Sequence, residues 1–219
     1  MDKKAIQNQI IELIKEYNDL VLYWDENKAI ISGLINFEAK YDDTTIKDKY
    51  YIEIILDNKY PQSLPIIKEI GGRIPSTFHK NGNDILCLEV ESKMKSYLIK
   101  NPNILSFVNK FLLEYLYGYS FKEMYGKLPY GERKHGVLGV IDYYRETFNV
   151  IDIKNIIEFL KILSKANYRG HYICPCGSGK KLRDCHGNII KKLISMEMSK
   201  QYDDDLKEME EIYIIMRGR

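Results

Sequence analysis

Four potential metal ligands crowd into the fourteen residues CPCGSGKKLRDCHG, 174–187. A tetrahedral Zn2+ takes thiolate or imidazole donors at about 2.0 to 2.3 Å, and three cysteines with one histidine make a closed set. Cys174 and Cys176, one residue apart, can supply one edge of the tetrahedron, and Cys185 with His186 the other. Gly177, Ser178 and Gly179 permit the reversal between them, because glycine tolerates positive φ. With all four positions taken by protein, the ion would be structural. The remaining cysteine, Cys87, stands apart, with His79 and Asn81 shortly upstream. One free thiol plus one metal site fits this spacing better than two disulfides, and it fits a reducing compartment. A thiol flanked by Leu86 and Leu88 could equally serve as a small buried hydrophobe.

The elements that must position these residues follow from patterning. Ile6, Ile10, Leu13, Ile14 and Tyr17 recur at helical spacing, with Asp2 as N-cap and Asn18-Asp19 as stop. From Val21 to Ile70 come runs rich in Ile, Val, Tyr and Phe: VLYW, AIISGLINFEA, YYIEIIL and PIIKEI. They are separated by short turn sequences with no helical spacer, which implies an antiparallel meander, since parallel neighbours need long crossovers. The stretch GGRIPSTFHKNGNDILCLEV is irregular by composition. Ile104, Phe107, Val108, Phe111, Leu112, Tyr115 and Leu116 then mark a helix facing the sheet, and YGKLPYGERKHG a loop. A short helix over GVIDYYRETF and a longer one over IDIKNIIEFLKILSKA lead to the cysteine motif and a charged helical tail, whose Asp203–Asp205 run reads as a solvated face.

The chain has 219 residues, 45% hydrophobic and 29% charged, enough for a core. Lys and Arg total 33 against 31 Asp and Glu. Near-neutrality argues against nucleic acid or an anionic membrane as a partner of the whole molecule, though local basic patches stay open. No apolar run approaches the roughly 18 to 20 residues that cross a bilayer, and the N-terminal segment is too interrupted for a signal peptide, so a cytoplasmic protein is expected.

Residues 174–187 resemble the SEC-C motif, the zinc-binding tail of the SecA translocation ATPase that is also appended to many other bacterial proteins. The resemblance implies structural Zn2+ on Cys174, Cys176, Cys185 and His186, and a small surface for docking another macromolecule. The first 150 residues resemble a different family. The order helix, meander, Pro-containing turn, His/Asn segment and Cys-Leu is similar to the E2 ubiquitin-conjugating (UBC-like) fold. Tyr60-Pro61-Gln62-Ser63-Leu64-Pro65 stands for the family's Tyr-Pro-x-x-Pro-Pro, His79-Lys80-Asn81 for His-Pro-Asn, and Cys87-Leu88 for the catalytic Cys-Leu. GGRIP and the later GERKHGVLG are similar to bacterial E2-like proteins of anti-phage (CBASS) and ubiquitin-like conjugation operons.

The expected architecture is therefore α+β: an E2-like four-stranded antiparallel meander flanked by helices (1–150), a connecting helix (151–168), a SEC-C zinc module (169–189) and a helical tail (190–219). The resemblance implies acyl transfer. The Cys87 thiolate would take the C-terminus of a ubiquitin-like protein or a nucleotidyltransferase as a thioester, with or without an E1-like activating enzyme, and pass it to an amine. Asn81 would stabilise the oxyanion or the loop, an oxyanion donor being worth about 2.7 to 4 kcal/mol, and His79 would organise the loop. A Cys-His-Asn hydrolase uses the same residue types, but His79 precedes Cys87 by only eight positions, whereas papain-like enzymes place the histidine far downstream. His135 could supply a later histidine, although its setting suits loop fixing. The alternative of another class is an inactive E2-like scaffold that binds a protein partner through its sheet or SEC-C motif.

Overall fold

The computed structural model describes residues 3–80, 82–129 and 137–217. Its contacts divide the chain into two compact units, Met1–Glu132 and Arg133–Arg219. In the first, β1 (Leu20–Asp25), β2 (Lys28–Tyr41), β3 (Thr44–Leu56) and β4 (Ile66–Glu69) form an antiparallel meander in chain order. Two-residue turns join β1 to β2 and β2 to β3, and Glu26 (φ 48°) and Asp42 (φ 49°) take the positive φ such hairpins require. The expected sheet is therefore present, with β3 beginning earlier than YYIEIIL because Thr44 pairs with Tyr41 directly across the second turn.

Register sorts the side chains. Ile31 opposes Ile54 and Ile35 opposes Tyr50, all buried on the inner face. Gly33 sits in the same row because a Cβ there would lie 2.1 Å from the Asp19 carbonyl oxygen, where the chain enters β1. The outer face carries a cross-strand row, Tyr23–Ile30–Ile55–Ile66, in which Tyr23 and Ile66 are exposed.

Helix α1 (Lys3–Glu16) buries Ile10 and Leu13 in the core of this unit. The expected N-cap Asp2 lies outside the described residues. Helix α2 (Glu91–Lys100) follows the irregular segment. Beyond it, α3 (Ile104–Phe107), a π-helical stretch (Val108–Leu112) and α4 (Leu113–Tyr125) run on directly and bury the heptad-like residues read from sequence. Asn103 caps the start, its side chain accepting from the Ser106 amide at 2.9 Å.

The second unit contains α5 (Val137–Phe148), α6 (Ile153–Ser164), α7 (Gly187–Ile194) and α8 (Ser199–Arg217). Helix α6 packs along α8, and α5 packs on both. The unit thus begins ahead of α5, rather than at the boundary near 150 expected from the sequence. One expectation for the tail is corrected. Asp205, assigned with its neighbours to a solvated face, is 4% exposed and accepts from Tyr144 Oη at 2.6 Å and Gln201 Nε2 at 2.8 Å. A buried carboxylate needs such donors, and helical geometry turns only one of three consecutive residues inward here. No described helix is long and apolar enough to cross a membrane.

Candidate metal centre and the Cys87 segment

Backbone pairing builds the cysteine motif. The Cys174 amide donates to Lys180 O at 2.8 Å, and Leu182 N donates to Tyr172 O at 2.7 Å, closing a small antiparallel loop with Gly177 and Gly179 at positive φ in its bend. The Cys185 amide then donates to Leu182 O at 3.2 Å, returning the chain to the two earlier sulfurs. One ligand atom each from Cys174, Cys176, Cys185 and His186 lie within 4.8 Å of one another. Cys176 and Cys185 Sγ are 3.5 Å apart, and His186 Nδ1 is 3.2 Å from both Cys174 and Cys185 Sγ. A regular tetrahedron with Zn–S near 2.3 Å has S···S edges of about 3.8 Å, so the cluster fits zinc after shifts of a few tenths of an ångström.

The histidine tautomer supports the same fit. His186 Nε2 lies 2.8 Å from Phe148 O. A carbonyl can only accept, so Nε2 carries the proton and the Nδ1 lone pair of the neutral ring points at the sulfurs, as a metal ligand requires. The ring also ends an aromatic column, with Phe159 at 5.0 Å and Phe148 stacked on Phe159 at 4.3 Å. Sequence reading missed Phe148, since a backbone acceptor 38 residues away leaves no trace in composition.

The thiols differ in electrostatics. Burial pushes Cys174 up to about 12. Cys176 is lowered to about 6, because hydrogen bonds from the Ser178 side chain and backbone, and from the neighbouring thiols, outweigh its burial. Metal binding to such a set must expel protons, Cys174's above all.

Residues 173–188 match the SEC-C motif. No curated protein and no solved structure matches the chain. The SEC-C segment is thus a Cys3His cluster whose geometry is consistent with a zinc site.

A tight steric fit joins this segment to its flanks. A Cβ on Gly187 would lie 2.7 Å from Tyr168 Oη and 3.0 Å from Leu182 O. The first clash could be relieved by the tyrosine, but Leu182 O is backbone. Gly187→Ala is therefore expected to lower stability by about 1 to 3 kcal/mol through overpacking. Thermal melts check this, and an unchanged midpoint would contradict it.

Cys87 lies in a different setting. Leu86 N donates to Ile67 O and Cys87 N to His79 O, both at 2.8 Å, so the irregular segment doubles back as a narrow ribbon beside β4. The structure brings His79 and Cys87 opposite each other through this backbone bond. Asn81 and His135 lie outside the described residues. The ribbon uses left-handed backbone at His79 (φ 41°), Asn83 (65°) and Asp84 (60°), residue types that tolerate it. Tyr115 Oη anchors it, donating to Phe78 O at 3.0 Å and His79 O at 3.3 Å. Lys80 turns inward: its side chain is 3% exposed, with Nζ 3.6 Å from the equally buried Glu69 carboxylate and 3.3 Å from Asp84. Glu69 also accepts from Gly71 N at 2.8 Å and Ile74 N at 3.2 Å, tying two loops together.

The Cys87 thiol is half-buried. Burial first, and the Glu91 carboxylate second, raise its pKa above the usual thiol value. Little thiolate is present at neutral pH, the reverse of an activated nucleophile. No catalytic constellation is evident among the described residues around it.

Proposed function

We propose that the chain is a binding adaptor, which docks on a macromolecular partner through its SEC-C segment, while the sheet-and-helix unit is a second binding body. The carrying observation is the Cys3His cluster with its histidine tautomer set by Phe148 O. Zinc held by a closed ligand set does no chemistry of its own and rigidifies a short, exposed loop. The outward row Tyr23–Ile30–Ile55–Ile66 supports the second half of the reading, because exposed apolar sheet surface is a common feature of contact sites. The test is formaldehyde crosslinking of the tagged chain in its native cell. Crosslinked species should survive Cys87→Ser and disappear with Cys185→Ser, and the opposite pattern would overturn the adaptor.

A second reading is acyl transfer on an E2-like fold, supported by a Cys87 thiol that is half-buried and not sealed, opposite His79 on a ribbon that follows a four-strand meander. It requires a thioester on Cys87. Co-expression with the genes adjacent to its own, followed by non-reducing electrophoresis, should then yield a thiol-labile adduct that Cys87→Ala abolishes. Its absence, or its persistence in the alanine variant, would rule this reading out.

A further inference from the structure

Charge along this nearly neutral chain is segregated. Residues 165–192 hold seven of its 33 Lys and Arg but only one of its 31 Asp and Glu, leaving 26 basic against 30 acidic residues elsewhere. All seven, Lys165, Arg169, Lys180, Lys181, Arg183, Lys191 and Lys192, are exposed. The single acid, Asp184, is paired with Arg183 at 3.5 Å. Three thiolates with a divalent ion would add one formal negative charge, which leaves most of the excess in place.

Several of these cations share one surface. The Arg183 Cβ lies 3.1 Å from where a Gly170 Cβ would stand, and Tyr168 Oη fills the space between Gly170 and Gly187. Lys191 Nζ sits over the Tyr168 ring, 5.0 Å from its centroid. On the adjoining turn the Arg169 guanidinium lies 5.5 Å over the Tyr172 ring and donates to its hydroxyl at 2.9 Å. The His171 ring meets Tyr172 at 4.7 Å, and Tyr172 is 51% exposed. Arg183 N donates to Gly170 O at 3.0 Å, so the arrangement is fixed by backbone bonds as well as by the metal cluster.

We infer that the SEC-C surface binds single-stranded nucleic acid, with Arg169, Arg183 and Lys191 on phosphates and Tyr172 as a stacking platform. Clustered cations supply a sequence-independent attraction, and an exposed aromatic ring beside an arginine accepts a base of any kind. An acidic protein would meet the cations equally well but would have no use for the ring pair at the centre of the patch. The inference rests on the adaptor reading and names the class of partner for that site.

The test is fluorescence anisotropy with labelled 20-mer oligouridylate and oligothymidylate and the zinc-loaded full chain. Both should bind at 50 mM salt, with a log–log salt slope of about −2 for three neutralised phosphates, at roughly −0.7 each. The triple variant R169E/R183E/K191E should bind at least about tenfold more weakly with zinc content and melting unchanged. Tyr172→Ala should weaken binding about tenfold with little change in slope, and it serves as the second variant should the triple one fold poorly. No binding at 50 mM salt, full binding by Tyr172→Ala, or equal competition by polyglutamate of matched charge would overturn the inference. If oligonucleotide binding fails while zinc-dependent protein crosslinks persist, the adaptor reading stands and only its nucleic-acid partner falls.

Discussion

Cys174→Ser is expected to strip the metal and unfold the segment around it, the largest effect of any single substitution considered. Structural zinc contributes an apparent 10 to 16 kcal/mol, of that order, in isolated zinc-finger peptides. Here the helices of the second unit bring their own aromatic core, so only part of that sum is at stake. A loss of about 3 kcal/mol would still lower the melting midpoint of a unit this size by about 12 °C or more. Cys174 is 2% exposed, so serine also places a hydroxyl in a packed site. Hydrogen exchange should show protection lost across 170–194 and retained in the sheet, since the compact units differ. A strong chelator should reproduce the effect, and Cys87→Ser should leave it absent. Unchanged melting and exchange in Cys174→Ser would contradict a structural metal.

The second large effect is expected from Lys80→Met. The substitution strands Glu69, whose side chain is 1% exposed, without its ammonium partner. Breaking a buried pair on one side costs about 3 to 5 kcal/mol. Glu69 keeps the amides of Gly71 and Ile74, which places the cost toward the lower end. Adding Glu69→Gln removes the stranded charge while preserving an acceptor, so the double variant should recover at least about 1 kcal/mol of what Lys80→Met loses. The segment carrying Cys87 is held by this clasp, and Lys80→Met should therefore also speed alkylation of Cys87. Additive losses in the double variant, measured by denaturant unfolding, would show that the two side chains are not coupled.

What could be read from the chain follows the range of the interactions. The meander was legible because its turns are two-residue and acidic or amide-rich, and because β2 and β3 alternate faces over their whole length. All four metal ligands were legible because they fall within thirteen residues. The second-unit details were not. Phe148 O acts on His186 through its backbone, which no residue type announces. Asp205 looked like part of a solvated acidic run, and only its pairing with Tyr144 and Gln201 distinguishes it. Helix α2, ESKMKSYLIK, has too few apolar residues to show a period, and its Ser92 and Ser96 are buried contrary to their usual place. Near Cys87 the governing feature is a buried lysine, which composition assigns to the surface.

The adaptor account puts recognition in the metal-stapled segment and none in the lone thiol. Quantitative crosslink recovery from native cells expressing wild type, Cys87→Ser and Cys185→Ser at matched levels tests that division most directly. The account expects the Cys87 variant to retain wild-type recovery and the Cys185 variant to fall at least about tenfold, as for a docking site whose fold depends on metal. Loss of partners with Cys87→Ser, and their retention with Cys185→Ser, would contradict it.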